Sequence, residues 1–286
     1  MKTLCIGEIL WDIFPDHKVW GGAPANFIFH TAQLGADATA YSAIGNDQLG
    51  TELSGAIKSC GINLLAEANE YSTGKVDILI DDEGHAQYQF NDNCSWDYIA
   101  FTPELQRLSS EADLIVFGSL AQRHEQSRVT IYRALTHKKP SAKVLFDINL
   151  RQDFYNTEII EASLKACDFL KLNEDELPII EQLLDITLGA IIERYQLELV
   201  IFTLGAEGSR IISKDAVSDQ PAVKCKVVDT VGAGDSFTAS FIINYLRGMT
   251  IPKSQELASE IAAFVCTQKG ATVELPILLK QKMEYV

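Results

Sequence analysis

The sequence predicts an α/β fold: a mostly parallel central sheet with helices on both faces, plus a small β lid set apart from it. Two observations carry this. From residue 113 to 205, short and nearly continuous apolar runs alternate with helical periodicity, as strands covered on both faces by crossover helices should. Between 72 and 92 the rhythm changes to two runs of alternating polarity, STGKVDILI and HAQYQF, joined by DDEG, which reads as a hairpin.

In chain order, KTLCIGEIL (2–10) is a strand and APANFIFHTAQLG (23–35) a helix, with Pro24 suited to its first turn and Gly35 to the position after its end. TAYSAI (39–44) is a strand. QLGTELSGAIKSCG (48–61) is helical, with apolar positions at Leu49, Leu53, Ala56 and Ile57 and a terminal Gly61. Past the hairpin come the strand–helix units: DLIVFGSL (113–120) with EQSRVTIYRALTHK, KVLFDINL (143–150) with a helix near 156–166, and DFLKL (168–172) with NEDELPIIEQLL. A helix around 187–195 precedes the strand ELVIFTLG (198–205). SRIIS (209–213) and KCKVVD (224–229) are later strands, and helices near 233–247 and 254–268 follow. No repeat or linker divides the chain, so a single domain over 1–286 is expected, with the lid as an excursion around 72–98.

Composition bounds the function. The chain is 47% hydrophobic with a formal net charge of -15, which gives material for a core and disfavours nucleic acid or an anionic membrane as partner. Six scattered cysteines, with no C-x-x-C pair, read as buried free thiols in a reducing compartment, and the histidines lack metal-ligand spacing. Glu8 and Asp12 interrupt the apolar start, so no signal peptide is expected; no run is long enough to span a membrane, and a cytoplasmic protein follows.

The chemistry concentrates in VVDTVGAGDSF (227–237). VVD ends a strand and SFTASFIINYLRG is an amphipathic helix, with Phe237, Phe241 and Tyr245 at i, i+4, i+8. Gly232, Ala233 and Gly234 therefore stand at a helix N-terminus, where amides favour an anion, yet Asp235 adds a carboxylate. Locally this is a Gly-rich turn with Asp235 or Ser236 as cap. Functionally it is a phosphoryl pocket with Asp235 accepting a proton from an attacking hydroxyl. Walker A and G-x-G-x-x-G patterns are absent, which disfavours a P-loop kinase and a dinucleotide enzyme.

The run Asp229-Thr230-Val231-Gly232-Ala233-Gly234-Asp235 resembles the D-T-x-G-A-G-D signature of the ribokinase-like, or PfkB, family of sugar kinases. Five other segments, and CTQKGA (266–271), are similar to that family in the right order: WGGAPANF (20–27), in the form typical of fructokinases, IGNDQLG (44–50), FDINLR (146–151), LNEDE (172–176) and TLGAEGS (203–209). The resemblance implies the three-layer ribokinase-like fold and ATP-dependent phosphorylation of a sugar, with Mg²⁺ as cofactor. It implies sugar binding by Asp12, Gly22, Asn26 and Asn149, and catalysis by Asp235 with the amides of 232–234. Arg151 would lie between sugar and transferred phosphate, an assignment its bidentate geometry suits.

For the nucleotide the resemblance implies Asn173, Thr203, Gly205, Gly208, Gly232 and Gly234. Glu176 would order Mg²⁺ through water, although Asn173 and Glu176 also form a capping box. Carbonyls of Asp229 and Val231 are where many relatives hold a monovalent cation, often potassium. Trp96 and Asp97 fall at the lid hinge or on the sugar wall. WDIFP, FGSLAQR and the G-G-A-P form point to fructose, giving fructose 6-phosphate; ribose, 2-keto-3-deoxygluconate and a nucleoside are the alternatives. A non-catalytic sensor on the same fold is disfavoured by the intact Asp235. The alternating lid strands leave an apolar face that a second subunit's lid could cover, so a homodimer is expected there.

Overall fold

The computed structural model describes residues 1–80 and 86–282, so the DDEG turn at 81–84 lies outside the described residues. β1 (Lys2–Ile6) opens the main sheet. The expected strand 2–10 breaks at Gly7–Ile9, and β2 (Leu10–Ile13) turns away to pair with β3 (Lys18–Gly21). α1 (Ala23–Gln33), β4 (Asp37–Gly45), α2 (Gln48–Ser59) and β5 (Asn63–Asn69) follow, then the hairpin β6 (Lys75–Ile80) and β7 (Ala86–Phe90). Gly35 and Gly61 sit just past α1 and α2 with φ of 76° and 78°, the left-handed conformation that ends helices.

Next come α3 (Pro103–Glu111), β8 (Leu114–Gly118), α4 (Glu125–Thr136), β9 (Lys143–Asp147), α5 (Thr157–Ala166), β10 (Phe169–Asn173), α6 (Glu176–Leu184), α7 (Leu188–Tyr195) and β11 (Leu199–Thr203). β12 (Ser209–Ser213), β13 (Val217–Gln220), α8 (Ala233–Leu246), α9 (Ile251–Cys266) and α10 (Ile277–Gln281) complete the order.

The main sheet has nine strands in the order β13-β12-β11-β10-β9-β8-β1-β4-β5, parallel from β11 to β5, with β12 and β13 antiparallel at one edge. Alternate strand residues feed two cores. Cys5, Val116, Leu145, Phe169 and Ile201 pack with α1, α2, α8 and α9; Leu4, Ile6, Phe117, Phe146 and Leu170 pack with α3 to α7. One sheet between two helical layers is the three-layer arrangement expected. Among the described residues, no helix is long and apolar enough to cross a membrane.

The hairpin belongs to a second, four-stranded sheet of order β3-β2-β6-β7, so the lid includes two strands far upstream of residue 72. Its Leu10, Val76 and Ile78 are buried within the chain, against Phe14 and Phe90. Trp96 is fully buried, and Asp97 accepts Nε and Nη2 of Arg123 at 2.7 Å each. Arg123 lies 4.1 Å over the Trp96 ring and donates to the Asn91 carbonyl just past β7, which makes this cluster the lid's attachment to the body.

Three expectations change. The segment 224–229 is not a strand: Val227 and Val228 are each 59% exposed, Val228 N bonds the Cys266 carbonyl, and the run lies along the end of α9 without a ladder partner among the described residues. α8 is not amphipathic. It is packed between α1 and α9 and buried continuously from Ser236 to Asn244, while its aromatic ladder persists with Phe237–Phe241 and Phe241–Tyr245 stacked at 6.3 and 5.9 Å. The six thiols are free, but Cys60 is exposed and Cys225 and Cys266 are half-buried.

Candidate active site

Strands β1, β8, β9, β10 and β11 run parallel, so their carboxyl ends share one edge, where ligands of open α/β sheets bind. The singled-out residues lie there. The N-cap of α8 is Gly232, with φ of 78° and no side-chain cap. The Ala233 amide bonds Thr230 O, but the amides of Gly234 and Asp235 have no acceptor among the described residues. The free N–H groups of a long buried helix thus open onto the edge, which suits an anion.

Asn26, in the first turns of α1, donates from Nδ2 to Asp235 Oδ2 at 2.9 Å, across 209 residues of sequence. Two segments singled out separately are thereby joined. Asn26 is 7% exposed, and its Oδ1 has no partner among the described residues. Gly22 precedes α1 with φ of 104°, and a Cβ there would collide with the Glu8 carbonyl. Asp12 stands in β2 against Gly21, where a Cβ would lie 2.5 Å from its Oδ2. Burial raises the Asp12 pKa to about 6, with Arg151 pulling against it.

Asn149 follows β9 in left-handed conformation, φ 43°. Arg151 is exposed and donates to the Leu150 carbonyl; its charge acts on Glu8 and Asp12, but among the described residues it is not hydrogen-bonded to either. Gln152 Nε2 donates to Tyr88 O at 2.8 Å, tying this loop to lid strand β7. Glu176 is 4% exposed and both its oxygens accept amides, from Asn173 at 2.8 Å and Leu150 at 3.0 Å. Asn173 Oδ1 in turn accepts from Glu176 N, so the reciprocal capping box is present and also pins the 149–151 loop.

Among the described residues no group of three or more His, Cys, Asp or Glu could cage a metal. With both oxygens accepting amides, Glu176 offers an incoming Mg²⁺ a nearby charge that its waters could reach rather than a ready direct ligand.

Thr203, Gly205 and Gly208 occupy the β11–β12 turn, apart from the Asp12–Asn26 side; Gly205 lies against Glu174 of the Asn173–Glu176 turn. Asp229 bonds Val231 N at 3.0 Å and Gly270 N at 2.9 Å, which brings the 229–231 and 266–271 segments together. His30 reaches the same junction from α1, with Nε2 at 2.9 Å from Ala271 O. Burial lowers its pKa to about 4, so it is neutral, with the proton on Nε2 because a carbonyl only accepts.

Three residues stand out only in the structure. Glu8 is 2% exposed, its Oε2 has no partner among the described residues, and burial raises its pKa to about 7. Lys171 and Asp147 form a buried ion pair at 3.1 Å. A charge within an otherwise apolar strand, as in DFLKL, was the available signal.

Gly232→Ala tests the turn. A Cβ would lie 2.6 Å from Ala271 Cα at a φ that only glycine adopts freely, so the variant is expected to lose about 1–3 kcal/mol in urea unfolding. Gly55→Ala, whose Cβ meets nothing within 4 Å, is the control.

A sequence profile described as pfkB family carbohydrate kinase matches residues 15–278. The fructokinase of Klebsiella pneumoniae is 29% identical, over 96% of this chain and 96% of that protein. The crystal structure of an uncharacterized sugar kinase from Pyrococcus horikoshii superposes with a TM-score of 0.87 at 25% identity, covering 100% of this chain and 97% of that one. A structure of the same kinase in complex with ATP superposes at 0.83, also at 25% identity, covering 94% of each chain.

Proposed function

The chain belongs to the pfkB family of carbohydrate kinases, and from that premise we propose that it transfers the γ-phosphate of ATP to a primary hydroxyl of fructose, giving fructose 6-phosphate. The observation that carries this reading is the Asn26–Asp235 hydrogen bond beside the open amides of α8. It puts one carboxylate within reach of both Asn26 and the open amides, which supports a reading in which phosphate is handed to an alcohol. ATP as donor is supported by the Pyrococcus horikoshii complex. Fructose is supported by similarity to the Klebsiella pneumoniae fructokinase and by the G-G-A-P form of residues 21–24.

In this reading Asp12, Gly22, Asn26 and Asn149 hold the sugar, and Arg151 swings between sugar and phosphate. Asp235 takes the hydroxyl proton as the oxygen attacks the γ-phosphorus, and ADP leaves with the bridging electron pair. The amides of Gly232, Gly234 and Asp235 face the transferred group, while that of Ala233 is held by the Thr230 carbonyl. Asn173, Thr203, Gly205 and Gly208 flank the nucleotide. Glu176 would hold waters of Mg²⁺, which would supply charge to offset the phosphates, and the junction of Asp229 and Val231 with Gly270 would hold a monovalent cation. The lid covers the sugar and excludes water as a competing acceptor. A homodimer through the lid sheet completes the reading, with Tyr88, 51% exposed, on its edge strand β7.

The test is a coupled ADP-release screen over fructose, ribose, 2-keto-3-deoxygluconate and nucleosides, with and without potassium. Fructose is expected to give the highest kcat/KM; a clearly higher value for another acceptor overturns the substrate assignment, and no ADP release with any acceptor overturns the kinase reading. Asp12 adds a pH signature. Its carboxyl accepts two sugar hydroxyls best when ionised, because protonation turns one oxygen into a donor, so the KM for sugar should rise as pH falls through about 6, while the KM for ATP changes less. A sugar KM that is flat between pH 5 and 8 would remove Asp12 from the sugar site.

A further inference from the structure

Asp147 and Lys171 occupy paired positions on adjacent strands β9 and β10. Val144, Phe146, Leu170 and Leu172 point to the α3–α7 core, so alternation sends Asp147 and Lys171 to the opposite face, under the N-terminus of α8. Their side chains are 11% and 7% exposed, and Nζ stands 3.1 Å from Oδ1. Burying such a pair is costly, and an apolar pair would serve the fold as well or better. The ammonium lies directly behind the phosphoryl turn: a Cβ on Gly234 would be 3.9 Å from Nζ. Burial opposes its charge, but the carboxylates of Asp147, Glu176 and Asp235 outweigh burial and keep it protonated. Among the described residues Asp147 is its one polar partner, and Arg151, the other cation acting on these acids, is exposed.

We propose that Lys171, anchored by Asp147, is a positioning residue for phosphoryl transfer: its ammonium braces the Gly232–Asp235 turn and offsets the negative charge that gathers when Asp235 and the transferred group occupy the site together. The proposal rests on the kinase reading. The lysine exchanges no proton and forms no bond with substrate. It acts through the turn, as a fixed charge in a low-dielectric interior that needs no reorganisation during the reaction.

The experiment compares wild type, Lys171→Met, Lys171→Arg and the double variant Lys171→Met with Asp147→Asn. It reads ADP release with the sugar that wild type accepts, ADP affinity by calorimetry, and urea midpoints. Lys171→Met alone leaves Asp147 buried and unpaired, so it is expected to lose both stability and rate. The double variant should regain the wild-type urea midpoint while its kcat stays roughly 10- to 100-fold down, with ADP affinity and sugar KM within about threefold. Lys171→Arg should recover part of kcat. Recovery of both midpoint and kcat in the double variant overturns the proposal, as does Lys171→Arg no faster than Lys171→Met when both are folded. Wild type inactive on every acceptor is the distinct failure of the kinase reading, and the proposal falls with it.

Discussion

Asp235→Asn should lower kcat by about three orders of magnitude, within the 10²–10⁴ range typical of a general base, and leave ADP and sugar affinities within a few fold. The substitution keeps shape and hydrogen bonding. Asn26 donates from Nδ2 to Asp235 Oδ2, and an amide oxygen at the same place accepts that bond equally. The first-turn amides belong to the backbone and are unchanged, as is the close approach of Gly232 to Ala271. What disappears is the acceptor for the hydroxyl proton, an interaction that matters only as the transition state forms. The loss should therefore appear in kcat and kcat/KM together rather than in KM. Calorimetry with ADP and near-ultraviolet circular dichroism check that site and fold persist. A variant that retains more than about a tenth of wild-type kcat would show that another group takes the proton.

The parts of this site differ in how far the sequence reveals them. The βα rhythm from 113 to 205 was legible because strands covered on both faces, such as LIVF and VLF, leave unbroken apolar runs. β5 and α3 were not, because NLLAEAN and PELQRLSSE each bury only a few apolar side chains at the margin of the fold. KCKVVD was expected to be a strand, but a strand also needs a neighbour, and none stands beside 224–229 among the described residues. β2 and β3 are four residues each, and their membership in the lid sheet depends on β2 pairing with β6, a contact no local pattern encodes. Among the site residues, Asp12, Asn26 and Asp235 were visible through motifs, yet the Asn26–Asp235 bond is a tertiary fact. Glu8, Asp147 and Lys171 were not legible, because single charges in short apolar runs usually mark a solvent-facing position.

Glu8→Gln should stabilise the protein at pH 8 by about 3 kcal/mol, with the gain disappearing as the pH is lowered towards 4.5. Glu8 is 2% exposed, and burial raises its pKa from 4.5 to about 7 despite the opposing charge of Arg151. The folded state therefore keeps its proton over a range in which the unfolded chain has released it. Glu8 contributes its full stability below the unfolded value and loses that contribution as pH rises through about 7. Above that point a carboxylate is held in the interior, close enough for Asp147 and Asp235 to act on it, with Oε2 lacking a partner among the described residues. A glutamine cannot ionise, so the difference between the variant and wild type isolates the Glu8 titration together with its coupling to Asp147 and Asp235; carboxylates that do not act on Glu8 titrate in both and cancel. Urea midpoints at pH 5, 6, 7 and 8 measure it. Any fixed packing penalty of the amide shifts the whole difference curve without changing its slope, so the slope is the decisive quantity. A difference that does not vary between pH 5 and 8 would mean that Glu8 is already ionised in the folded protein, with a partner that neutralises it.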